Sequence, residues 1–86
     1  MKRALTSGQI RAARSLIRWR AEDLAKESSV GVATIRRAEL AEGPTALTAA
    51  NDQAIRRTLV AAGIEFIDEN GGGLGVHLRK PPKQKR

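Results

Sequence analysis

Arg11, Arg14 and Arg18 recur at intervals of three and four, and Arg36 and Arg37 stand side by side at the end of "GVATIRR". A guanidinium stays charged and presents five N–H donors in a flat fork, which fits phosphate oxygens or other paired acceptors two at a time. The chemistry open to these residues is recognition of anions and polar edges, not bond making. Groups that make or break bonds lack partners here. The chain has no cysteine and one histidine, His77, so neither a thiolate site nor a zinc cluster can be assembled. Glu22 and Asp23 are adjacent, as are Asp68 and Glu69; neither couple is a separated acid and base facing each other across a cleft. "NGGGLG", ending at Gly75, has the glycines of a phosphate loop, but it lacks the following Lys-Ser/Thr and leads into a strand pattern. It reads as a hairpin connector. With one Trp, one Phe and no Tyr there is no platform on which single-stranded bases could stack. Neither enzymatic chemistry nor a cofactor is expected.

The charge is uneven along the chain. The net +7 divides into +5 over residues 1–40, −3 over 41–78 and +5 over 79–86. A basic first part, an acidic middle and a basic tail fit a polyanion-binding face set apart from a different surface, although a basic balance can also serve solubility alone. Eighty-six residues suit one domain, which at this size buries about 60 to 65% of the surface its unfolded chain exposes. No apolar run approaches the roughly 18 residues of a membrane span, and the N-terminus lacks the apolar core of a signal peptide. A soluble cytoplasmic protein with no membrane partner is expected.

The elements that must position the arginines are legible from period and caps. "TSGQ" places Thr6 and Gln9 as a capping box, so a first helix is expected over about 7–18, with Ile10, Ala13, Leu16 and Ile17 on one face and Trp19 turned inward. Glu22 and Asp23 favour the start of a second helix over about 21–28, with Leu24 and Ala25 facing in. "SSVG" is the turn. Gly31 serves as N-cap of a third helix over about 32–40, whose Ile35 and Ala38 face in and whose Val32, Ala33, Arg36 and Arg37 face out. After "AEGPTALT", Thr48 or Asn51 can cap a fourth helix over about 49–62, with Ala54, Ile55, Leu59, Val60 and Ala62 as its apolar positions and Gly63 as its stop. "IEFI" and "GVHLR" then alternate with a period of two, which predicts a hairpin with strands over about 64–67 and 75–79. One domain over 1–78 and a disordered basic tail over 80–86 follow, since "KPPKQKR" offers no apolar side chain to bury.

"GQIRAARSLIRW", "EDLA" and "ATIRRAE" together resemble the Xre family of bacterial and phage regulators, whose founding members are the lambda-type repressors. The resemblance covers residues 6–62. It implies a mainly α fold, a four-helix lambda-repressor-like helix-turn-helix domain carrying the C-terminal hairpin as an addition. It also implies a buried ion pair between Arg14 and Glu39, and it places Val32, Ala33, Arg36 and Arg37 where helix 3 meets base edges. Either arginine can contact guanine O6 and N7 in a bidentate manner, and Val32 and Ala33 offer apolar contact to thymine methyls. A solvated helix face is the plainer alternative for the two arginines.

The sequence departs from the family pattern at three places. Arg20 and Ala21 replace the usual Ser or Thr and Gln that bind phosphate; Ser29 replaces a left-handed Gly and Gly31 a Ser or Thr cap; and "LAEGPT" is acidic where basic residues are common. Phosphate contact then falls to Arg11, Arg18, Arg20, Lys26, the N-terminal Lys2 and Arg3, and the tail. The resemblance implies a sequence-specific regulator on double-stranded DNA, a homodimer on half-sites about 34 Å apart. An exposed β-edge makes strand 64–67 or 75–79 a candidate subunit contact, and the hairpin can equally cap the helical core within one subunit. The rival reading is a helix-turn-helix kept as a protein-binding module, an antiactivator or an antitoxin, acting through a protein partner.

Overall fold

Residues 4–67 and 73–79 are described by the computed structural model; the N-terminal Lys2 and Arg3, Asp68 and Glu69, and the tail over 80–86 lie outside the described residues. Helix α1 (Ser7–Ile17) opens on a complete capping box: the Gln9 amide donates to the Thr6 hydroxyl at 3.1 Å and the Thr6 amide donates to the Gln9 side chain at 3.1 Å. It closes one residue before its expected end, where Arg18 takes a left-handed conformation at φ 60°. Helix α2 (Ala21–Ser28) begins where the Asp23 carboxylate accepts from the Arg20 amide at 2.8 Å. Helix α3 (Val32–Leu40) starts from Gly31, which supplies extended geometry but no side-chain cap. Helix α4 (Ala49–Ala61) is capped by the Thr48 hydroxyl, to which the Asn51 amide donates at 3.0 Å.

Strands β1 (Ile64–Ile67) and β2 (Gly75–Leu78) form an antiparallel hairpin with Ile64 opposite Leu78 and Phe66 opposite Val76. The pairing runs one hydrogen bond further, from the Arg79 amide to the Gly63 carbonyl at 2.7 Å. Gly63, at φ +109°, makes the tight exit from α4 that a Cβ would strain. Alternation puts Ile64, Phe66 and Val76 on the inner face, where β2 packs on α1 and β1 on α4. The mainly helical chain thus carries its hairpin as a lid on its own core.

That core joins every helix. Ile10, Leu24, Ile35, Ile55, Leu59 and Ile64 are fully buried, with Leu5, Ala13, Ala21, Val30 and Ala38 around them and Trp19 half-buried against them. Two expected core residues are displaced outward. Leu16 is 41% exposed because it lies about 120° around α1 from Ile10, and Val60 is 38% exposed because it lies about 140° around α4 from Ile55. Buried polar groups are satisfied across elements. The Ser7 hydroxyl reaches the Ala38 and Ala41 carbonyls at 2.7 and 2.8 Å, which fixes the start of α1 against the end of α3. Gln9 donates to the Gly75 carbonyl at 3.1 Å and so fastens the hairpin to α1. The Arg56 guanidinium lies 5.1 Å from the Phe66 ring centre, a cation–π contact between α4 and β1.

Candidate nucleic-acid interface

The alternation of faces along α3 decides what this helix can present. Ile35, Ala38 and Glu39 are buried, which fixes the rotation of α3 in the domain. At about 100° per residue Ala33, Arg36 and Arg37 lie 100° or more around the helix from Ile35, while Val32 lies about 60° from it and nearly in line with Glu39. Ala33, Arg36 and Arg37 are exposed and Val32 is half-buried at the first turn, packed partly against the core. Of the four base-contact residues expected from the sequence, Ala33, Arg36 and Arg37 therefore lie on the accessible side of α3, and Val32 sits at the edge of the buried face with only part of its surface to offer.

Arg14 and Glu39 hold this orientation from beneath. Arg14 Nε and Nη2 each meet one Glu39 oxygen at 2.7 Å, and Nη1 donates to the Trp19 carbonyl at 2.9 Å. The fork–fork geometry is the strong form of an arginine–carboxylate contact, and it occurs here with the Glu39 side chain only 8% exposed. Direct hydrogen bonding to Glu39 raises the Arg14 pKa, against the opposing effect of burial. Each guanidinium nitrogen is engaged by a protein oxygen, and the contact ties α1 to α3.

The turn between α2 and α3 shows how the departures from the family pattern are absorbed. Ser29 sits in the left-handed region at φ 64°, with its amide donating to the Ala25 carbonyl at 2.9 Å, as a glycine would. Ser28 stabilises the same turn: its hydroxyl donates to the Leu24 carbonyl at 2.7 Å and accepts from the Val30 amide at 3.2 Å. Ala21, which cannot anchor a phosphate, is buried at 7% exposure and packs in the core. Its methyl serves packing at a position where the family resemblance implied a polar group.

The basic residues around α3 fall into two groups. Lys26 shares an open, partly apolar depression with Glu22, Ala25, Ser29, Val30, Gly31 and Val32 at the α2–α3 turn, so it stands beside the first turn of α3. Arg37 borders a second depression toward the connection between α3 and α4, with Thr34, Pro44 and Thr45, and makes no ion pair among the described residues. Arg11 donates from Nη1 to the Glu39 carbonyl, which engages it at the C-terminal end of α3. Arg20 is 79% exposed at the N-cap of α2, with Nε 3.9 Å from Asp23, and Arg18 is exposed at the end of α1; neither makes an ion pair with α3 among the described residues. Lys26, Val32, Arg36 and Arg37 are thus grouped at α3, while Arg18 and Arg20 flank the α1–α2 junction.

Glu22 was not assigned a place in this surface by its sequence. Its carboxylate meets Arg36 Nη2 across the gap between α2 and α3, and both side chains are 53% exposed. The Glu22 carboxyl is held below its ordinary pKa, first by its own backbone amide and then by Arg36. The only sequence signal was its place in the first turn of α2, which the helix dipole explains equally well. Among the described residues no helix is long and apolar enough to cross a membrane, and no cluster of three metal-binding side chains forms. Neither a protein-family model nor a curated protein matches the chain.

Proposed function

We propose that the chain is a sequence-specific binder of double-stranded DNA that regulates transcription, laying α3 in the major groove and acting as a homodimer. One observation supports the reading: a single helix, fixed by a buried core and the Arg14–Glu39 ion pair, presents Ala33, Arg36 and Arg37 on its accessible side with the half-buried Val32 at its edge. A surface that reads bases needs this combination of rigid support and a planar donor fork. Arg37, without an ion pair among the described residues, has its whole fork available. Lys26, Arg11, Arg18 and Arg20 supply positive charge around the helix for phosphates, and Lys80, Lys83, Lys85 and Arg86 add four charges in the tail. The homodimer rests on the outer edges of the two-stranded sheet, which pair with no third strand among the described residues, and on the exposed Leu78 beside them. DNA is the partner in this reading, and no cofactor is part of it.

The test is selection from a library of random duplexes of about 25 base pairs, long enough for two half-sites one turn apart. The wild-type chain is expected to enrich a pseudo-palindromic motif. Arg36→Ala and Arg37→Ala are each expected to lower preference for it by about 1 to 3 kcal/mol while random-sequence affinity changes less. Equal losses on the enriched motif and on random duplex would remove the base-reading role of α3.

A further inference from the structure

The pair between Arg36 and Glu22 differs in geometry from a supporting ion pair. Arg14 spends Nε, Nη1 and Nη2 on protein oxygens, whereas Arg36 meets Glu22 through Nη2 alone. A guanidinium held by one nitrogen still presents two parallel N–H groups, the number that guanine O6 and N7 require. Half exposure of both partners leaves the pair little to contribute to folding.

Its position gives it another consequence. Glu22 stands in the first turn of α2, on the rim of the same depression as Lys26 and Val32, and so belongs to the surface that a duplex would approach. A carboxylate there repels phosphate. An Arg36 that swung to a phosphate would abandon Glu22 beside the anionic backbone, whereas an Arg36 that donates to a guanine edge can keep Glu22 as its third partner. The pair penalises the sequence-independent contact and leaves the base contact open.

We infer that Glu22 is a positioning residue for DNA recognition, which orients the Arg36 fork toward a guanine edge and away from the phosphates and so determines specificity at the base that Arg36 reads. This rests on the DNA-reading role of α3.

Glu22→Ala and Glu22→Gln raise the net charge by the same unit, but Gln keeps an acceptor at the same reach. A difference between them therefore reports positioning rather than bulk charge. Both variants and Arg36→Ala are put through selection on random duplexes of about 25 base pairs, followed by titration of the enriched motif and of a random duplex at several salt concentrations. Glu22→Ala is expected to lose about tenfold in the ratio of motif to random affinity, with the loss at the same base position that Arg36→Ala relaxes. Its binding to random duplex is expected to grow steeper in salt by about one phosphate contact. Glu22→Gln is expected to keep most of the preference. Equal gains on motif and random duplex in both variants, with the enriched motif unchanged, would overturn the positioning role and leave Glu22 as a bulk charge. A wild-type chain that enriches no motif would remove the DNA-reading role itself, and circular dichroism of each variant separates either result from misfolding.

Discussion

Helix α3 takes part in two arginine–glutamate pairs and contributes the opposite charge to each. Toward the interior it supplies Glu39, which is locked by Arg14 through two 2.7 Å bonds and is 8% exposed; toward solvent it supplies Arg36, which meets Glu22 by one nitrogen with both side chains 53% exposed. The partners are the same residue types, and the surroundings give them different work. In the interior, water cannot replace a lost partner, so the pair acts as a bolt between α1 and α3. At the surface, water or a ligand can replace either partner at little cost, so the pair acts on what approaches.

The largest effect expected from this contrast comes from neutralising the acid of each pair in turn. Glu39→Gln leaves the Arg14 guanidinium without its counter-charge at a mostly buried site, and the expected loss is about 3 kcal/mol, the lower end for a broken buried pair because Arg14 is itself 21% exposed. Glu22→Gln is expected to shift the unfolding midpoint only slightly, since its contacts are open to water. Urea unfolding of the two variants, monitored by helical circular dichroism, makes the comparison directly. Similar losses in both would break the distinction between bolt and surface contact.

The two pairs also differ in how far they could be read from the sequence. Arg14 and Glu39 were placed together by resemblance to a family pattern, and the caps at Thr6 and Thr48 were written in local spacing, as was the alternation that made the hairpin. These are properties of a few adjacent residues or of one period. The Arg36–Glu22 pair spans two helices whose crossing is set by Leu24, Val30 and Ile35 together, and no single period contains it. The same reason explains Leu16 and Val60. Each is apolar and near the right face, but whether a shoulder position is covered depends on which element arrives there, and none covers these fully. The hairpin itself is legible in the period-two alternation of its strands, while its seat on α1 through Gln9 and Gly75 joins residues too far apart for any local rule.

A second, smaller effect tests whether the outer pair depends on the strained turn between its two helices. Ser29 holds φ 64° without the freedom of glycine, at a cost of about 1 kcal/mol. Ser29→Gly relieves that strain but adds entropy to the unfolded chain, so the expected net gain is roughly 0.5 kcal/mol in the same urea experiment. Motif preference on DNA is expected to stay at the wild-type value. A gain in stability accompanied by a loss of preference would mean that the serine turn itself sets the reach from Glu22 to Arg36, and the outer pair would then be as structural as the inner one.

The smallest effect lies in the titration of Glu22. Its folded-state pKa is lowered, so the stability it lends is present above the ordinary glutamate value and is lost as pH falls through the lower folded value. The largest cause is its own backbone amide, followed by the hydrogen bond from Arg36; desolvation opposes them, and the charges of Arg36 and Arg20 add smaller attractions. Arg36→Ala removes the second cause and leaves the first. Carboxyl carbon shifts followed by NMR are therefore expected to show the Glu22 midpoint rising in Arg36→Ala but stopping short of the ordinary value. The inner pair is untouched by this change, because Arg36→Ala leaves both Glu39 oxygens on Arg14. A Glu22 midpoint that does not move would mean that the outer pair is not populated in solution, and Arg36 would then approach DNA as unguided as Arg37.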